Sequence, residues 1–179
     1  MYSGRVKQNI KNFSIERLKP QLIQERLFYF WFDIMFMSVE ENMNLMKTLD
    51  DAWNSQDWHT FSERHADDVI VRWPGQTPTM GMEAHKKEGE YSFKAFPDNH
   101  VKNNPYKIFF AQGDWTCSVA EFTGTHKGPL MGFDGKTIPA TNKNFKVDFC
   151  TVAHWKDRKI VEENLFYDLV GLMRQLGLM

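Results

Sequence analysis

The chain has 179 residues, 42% of them hydrophobic and 25% charged, a length and balance that fit one domain with at most an appendage and exclude wholesale disorder. Its 22 Lys and Arg against 23 Asp and Glu leave a net charge of −1, so there is no basic footprint for nucleic acid. Two cysteines, Cys117 and Cys150, are too few for a disulfide scaffold and point to a reducing, cytoplasmic setting.

Residues 1–38 form an extension. The first 30 residues hold six basic and two acidic side chains, net +4, which leaves −5 for the remainder. The run Leu27-Phe28-Tyr29-Phe30-Trp31-Phe32-Asp33-Ile34-Met35-Phe36-Met37 follows. It is shorter than the roughly 20 residues of a membrane span and carries Asp33, so no span is expected. A secretory signal is a poor fit, because the apolar stretch starts late and no small-residue cleavage site follows. Two readings are open: a helix packed on the main domain or a partner subunit, or an amphipathic surface segment behind a basic flank. Met37, Met43 and Met46 are alternative starts, and a chain beginning near Met43 is expected to stay folded and active.

From residue 39 to 179 the pattern is that of one domain. Val39, Met43, Met46, Leu49 and Trp53 mark one face of a helix, with Glu40, Glu41, Asp50 and Asp51 off that face. Asp57 caps a second short helix carrying Trp58, Phe61 and His65. Val69 to Trp73 reads as a strand ended by Pro74-Gly75. Gly81 to Phe96 reads as a helix closed by Pro97. Tyr106 to Ala111 and Trp115 to His126 read as strands. Residues 127–142 are a Gly/Pro/Thr-rich connection. Phe145 to Trp155 and Ile160 to Phe166 read as a hairpin, and Leu169 to Leu176 as a helix ended at Gly177. Helices first and long hairpins after predict an α+β fold with helices on one face of a curved sheet.

The aromatic share is high, 15%, with 15 Phe and 6 Trp. Aromatic side chains fill cores and also line small-molecule cavities; Trp53 and Trp73 are candidate lining residues. Strand alternation places Lys146, Asp148, Cys150, Val152 and His154 on one face and Phe145, Val147, Phe149, Thr151, Ala153 and Trp155 on the other. In the next strand Glu162, Asn164 and Phe166 share a face, which Asp168 joins if the strand continues. A two-residue turn at 157–158 pairs His154 with Val161, away from Asp168, whereas a bulge moves His154 to the Asp168 face. Both registers are open. Asp168 also has two roles open to it: cap of the last helix, or a carboxyl whose pKa is raised among aromatics and which shuttles protons. His126, after Gly124-Thr125 at a strand end, is a loop histidine or a binding residue. The six histidines show no HxH, HExxH or Cys/His cluster, so no metal site is expected. There is no GxSxG, GxxxxGK[ST] or GxGxxG, and no cofactor is expected.

Five segments together resemble the SnoaL-like polyketide cyclases, also called ester cyclases: Phe61-Ser62-Glu63-Arg64-His65-Ala66-Asp67-Asp68-Val69, Ala95-Phe96-Pro97-Asp98, Gly124-Thr125-His126-Lys127-Gly128, Gly135-Lys136, and Lys159-Ile160-Val161-Glu162-Glu163 running into Asp168 and Gln175-Leu176-Gly177. The resemblance covers about residues 43–179. It implies a cone-shaped fold of the nuclear transport factor 2-like superfamily, a curved antiparallel or mixed sheet with N-terminal helices closing an apolar cavity. It implies a homodimer through the outer sheet face and no metal or cofactor. It implies intramolecular aldol condensation of a polyketide ester, an apolar or aromatic metabolite. The acid/base would be Asp168, assisted by His154, with His126, Asn164, Phe166, Trp73 and Trp53 as substrate-binding candidates. The segment Pro129 to Lys136 departs from the Pro-Thr-Gly pattern frequent among members, and the extension has no counterpart. Two other functions share this fold: a non-catalytic cavity binder or dimeric scaffold, in which Asp168 is only a cap, and an isomerase or hydrolase using the same cavity.

Overall fold

The structure is a computed structural model, and it describes residues 39–132 and 135–179. The readings made on residues 1–38 lie outside the described residues. The first described element, α1, is helical over residues 39–55. It is followed by α2 (Trp58–Glu63), β1 (His65–Arg72), β2 (Thr79–Met80), α3 (Met82–Ala95), β3 (His100–Lys102), β4 (Ile108–Gln112), β5 (Trp115–Thr125), β6 (Leu130–Met131), β7 (Thr137–Ile138), β8 (Asn144–Lys156), β9 (Lys159–Tyr167) and α4 (Leu169–Gln175). The architecture is α+β, with a curved, unclosed and mostly antiparallel sheet.

Seven strands form that sheet in the order β2-β1-β9-β8-β5-β3, with β4 on the same edge of β5 as β3. The pair β6-β7 stands apart, inside the connection expected to be irregular. One pairing goes beyond hairpin logic: β1 runs parallel to β9. His65 lies opposite Ile160 and Ile70 opposite Glu162, so β1 carries extra residues between them. His65 is therefore strand, not helix as the spacing from Phe61 suggests, and its side chain is fully buried.

The helices form where capping and spacing favour them. The Asp57 side chain accepts from the Thr60 backbone N–H at 3.1 Å and starts α2. In α3, Met82, His85, Gly89 and Phe93 are buried at helical spacing. Gly89 permits a close approach, because a Cβ there would stand 2.9 Å from the Trp58 ring and 3.1 Å from that of Trp53. The main core joins α1, α2 and α3 to the inner sheet face through Met46, Leu49, Phe61, Phe93, Val71 and Trp155. A second cluster seats α4 through Leu172, Met173 and Leu176 on Phe96, Phe145 and Val147.

Candidate functional site

A cavity of about 470 Å³ opens between the helices and the inner sheet face. Most of its wall is apolar or aromatic, with Trp53, Trp73, Phe122, Phe149 and Leu165 among the lining residues. Two indoles are pinned by single hydrogen bonds. Trp53 Nε1 donates to Asn99 Oδ1 at 2.8 Å, and Trp73 Nε1 donates to Glu88 Oε2 at 2.9 Å.

Three carboxyl groups and one imidazole interrupt this wall: Asp50, Glu88, Glu163 and His85. Asp50 lies on the buried face of α1 beside Leu49 and Trp53. Its Oδ2 accepts from the Tyr106 hydroxyl at 2.6 Å. Burial, helped by the charges of Glu163 and Asp51, outweighs that hydrogen bond and raises the carboxyl to about 7. His85 stands between two carboxylates. Its Nδ1 is 3.2 Å from Glu88 Oε2 and its Nε2 is 3.3 Å from Glu163 Oε2. Burial works against its charge, yet the two carboxylates raise it to about 9. Burial likewise opposes ionisation of Glu163, but His65 and His85 hold its carboxyl at about 2. Glu88, half-buried, is kept low despite burial by His85, Thr79 and Trp73. The wall thus carries an ionised His85–Glu163 pair and, separately, a carboxyl poised near neutrality.

Of the seven site residues expected from the sequence, Trp53 and Trp73 line the cavity. The other five lie elsewhere. Asp168 is exposed and caps α4, its Oδ1 accepting from the Gly171 N–H at 2.8 Å. Gly171 makes room for this, since a Cβ there would stand 2.2 Å from the Asp168 carboxylate. The pairing does bulge between His154 and Trp155, with Val161 the extra residue on β9, so His154 faces Glu162 and not Val161. That is the register that puts His154 on the face of Glu162, Asn164 and Phe166, but this face is the outer one. The cavity receives Glu163, Leu165 and Tyr167 instead. His154 stacks on Trp115 with ring centroids 4.4 Å apart. Asp168 stands six residues beyond Glu162 along the chain, about 20 Å at strand rise, so no imidazole–carboxyl pair forms there. Asn164 joins Glu162 and Arg72 in an outer polar cluster. Phe166 is exposed on the same face. His126 is fully buried against Phe96 and accepts at Nδ1 from the Thr141 N–H at 3.3 Å, tying the strand end to the 141–143 crossing.

A family model of SnoaL-like polyketide cyclases matches residues 43–176. The chain belongs to this family. Three solved structures show the breadth of the fold. A protein described as a SnoaL-like polyketide cyclase from Jannaschia sp. CCS1 aligns with a TM-score of 0.69 at 21% identity, over 78% of this chain and 93% of that one. IdmH from Streptomyces antibioticus, described as a polyketide cyclase, aligns at 0.63 and 25% identity, over 76% and 98%. An epoxide hydrolase of M. tuberculosis aligns at 0.60 and 14% identity, over 78% and 91%. No curated protein sequence matches the chain at a significant level.

Sequence reasoning missed Asp50, His85, Glu88 and Glu163. For Asp50 a signal existed: it lies four residues after Met46 and next to Leu49, on the same arc. For Glu163 the alternation already placed it opposite the Glu162 face. For His85 the local signal was Glu88 at i+3 on the same helix; its second partner, Glu163, lies on β9 and left no trace near it in the chain.

Proposed function

We propose that this SnoaL-like protein is an enzyme that closes a ring in an apolar polyketide-type ester by intramolecular aldol condensation, with Asp50 as its acid/base group. One observation carries the reading: a carboxyl held at about 7 on the wall of an apolar cavity of about 470 Å³. A group with such a pKa accepts and returns protons readily at neutral pH. Asp50 takes a proton from the carbon between two carbonyls. The enolate carbon bonds to a distant carbonyl carbon, and Asp50 returns the proton to the alkoxide oxygen that results. The ionised His85 edge supplies positive charge where the enolate oxygen develops. The aromatic wall folds the flexible chain so that the reacting carbons meet, which is worth up to ~7–11 kcal/mol. In this reading Asp168 is a helix cap.

The outer sheet face supports a homodimer. The antiparallel registers align Ile108, Val119, Cys150 and Phe166 in one row and Phe110, Cys117 and Val152 in the next. Ile108, Phe110 and Phe166 are more than half exposed, an apolar patch of the sort that marks an interface. Among the described residues no helix is long and apolar enough to cross a membrane.

The deciding experiment is turnover of a panel of linear β-keto esters by Asp50→Asn. Asparagine keeps the acceptor for Tyr106, so the fold is expected to hold while ring closure falls about 10²–10⁴-fold. Undiminished cyclisation by a folded variant overturns the reading.

A further inference from the structure

We propose that His65, His85 and Glu163 form a binding site for one divalent transition-metal ion, with its open coordination position facing the cavity. The three residues come from β1, α3 and β9, all are buried, and each offers a ligand atom within 4.8 Å of the others. Glu163 Oε2 lies 3.3 Å from His85 Nε2 and 3.7 Å from His65 Nε2. Ligands bound at about 2.0–2.2 Å around a tetrahedral zinc ion stand about 3.3–3.5 Å apart, so these two edges already have nearly the required length.

A second observation points to a ligand independently. His65 Nδ1 is 2.8 Å from the Phe61 carbonyl oxygen. A carbonyl only accepts, so Nδ1 carries the proton and, in the neutral ring, Nε2 keeps its lone pair. That Nε2 is fully buried and has no hydrogen-bond partner. It faces the Glu163 carboxylate oxygen, another acceptor, beyond hydrogen-bond reach. Two lone pairs turned toward each other in a dry site are unfavourable. A proton on Nε2 relieves the conflict and holds Glu163 low in the metal-free chain, but at 3.7 Å it makes no hydrogen bond; a metal ion between the two atoms bonds both.

The surroundings fit the same reading. Metal-binding imidazoles are oriented by a carbonyl or carboxylate on the other ring nitrogen. His65 has the Phe61 carbonyl in that place and His85 has Glu88. Glu88 is itself held by the Trp73 indole and the Thr79 hydroxyl. Binding displaces the proton from His85 Nε2, so the ion takes over the positive charge that His85 carries in the metal-free chain. With neutral imidazoles, Glu88 and Glu163 leave two negative charges beside an apolar cavity, which one divalent ion balances. Two imidazoles and one carboxylate suit zinc, iron or cobalt better than magnesium or calcium. His85 and Glu163 line the cavity, so the vacant position of a three-ligand centre opens toward bound substrate. There the ion polarises a carbonyl oxygen; that consequence alone rests on the proposed ring closure.

The test uses the full chain, stripped with a chelator and titrated with Zn²⁺, Co²⁺ or Mg²⁺ near neutral pH. The expected result is one Zn²⁺ or Co²⁺ per chain, visible ligand-field bands with Co²⁺, a raised Tm with either ion, and no response to Mg²⁺. His65→Asn and Glu163→Gln are expected to weaken Zn²⁺ binding at least 100-fold, and Glu88→Gln about 10–100-fold. Should a ligand variant fail to fold, Glu88→Gln, at a half-exposed position, keeps the comparison. Absence of stoichiometric Zn²⁺ or Co²⁺ binding by the folded wild-type chain overturns the proposal. So does Zn²⁺ affinity unchanged in both Glu163→Gln and Glu88→Gln. Asp50→Asn lies outside the tripod and is expected to bind Zn²⁺ normally, so the metal site and the acid/base reading fail separately.

Discussion

Three carboxyl groups of similar chemistry meet three fates in this protein. Asp50 is raised to about 7 by burial, against a usual carboxylate near 4. An acid whose folded pKa is raised favours the folded state when protonated. Its contribution is complete below about pH 4 and is lost as pH rises through 7. Asp50→Asn is therefore expected to gain stability relative to wild type between pH 4 and 8, measured by urea denaturation across that range. Glu163 behaves the opposite way. Held at about 2, it stabilises the fold above its unfolded pKa, and that stability is lost as pH falls toward 2. His85, raised to about 9, contributes fully below its unfolded value near 6.5 and loses its contribution as pH climbs through 9. Both describe one buried pair, so the pair's own contribution is expected to plateau from about pH 4.5 to 6.5, read in Asp50→Asn, where the Asp50 titration is removed. Glu163→Gln leaves the imidazolium without one partner and is expected to cost about 3–5 kcal/mol in that window. Asp168 is exposed and caps α4, so Asp168→Ala is expected to cost ~0.5–2 kcal/mol with turnover unchanged in the same assay.

At the scale of elements, small shifts of register decide which groups meet the cavity. In α1 the buried arc runs through Asn42, Leu45, Met46, Leu49, Asp50 and Trp53. Periodicity alone, read through Val39, Met43 and Met46, centres the face about one residue away and leaves Asp50 outside. The difference reflects packing: α1 turns the Leu45 side of its surface to the sheet. The β8–β9 bulge works similarly, since one extra residue reverses the face on which His154 sits. Helix α3 reaches the tryptophans only because position 89 has no side chain. Gly89→Ala is expected to destabilise by about 1–3 kcal/mol through overpacking, despite alanine's better helix propensity, and a thermal melt reads this directly.

Across residues 39–179 the sheet presents two faces with different chemistry. The inner face holds the cavity and its ionised wall. The outer face carries the aligned rows around Ile108, Phe110, Cys117 and Phe166, with Cys117 Sγ and Cys150 Sγ 3.9 Å apart and both thiols free. Phe110→Glu places a charge in the middle of that patch and is expected to convert a dimer into a monomer, read as a halved mass by light scattering. A wild-type chain that is already monomeric at micromolar concentration contradicts the proposed pairing.

Much of this protein was legible in its amino-acid order. The helical spacing of α3, the Asp57 and Asp168 caps, the alternation in β8 and the family segments are local patterns, and local patterns determine local structure. They also sufficed for the fold class, because helices followed by long hairpins have few ways to bury their apolar faces. The chemistry was another matter. Whether a carboxyl is poised, ionised or merely a cap depends on burial and on neighbours from other elements. His65, His85 and Glu163 are separated by 20 and 78 residues in the chain. Only the parallel pairing of β1 with β9 and the seating of α3 bring them together, since electrostatic interaction follows distance in space and not along the sequence.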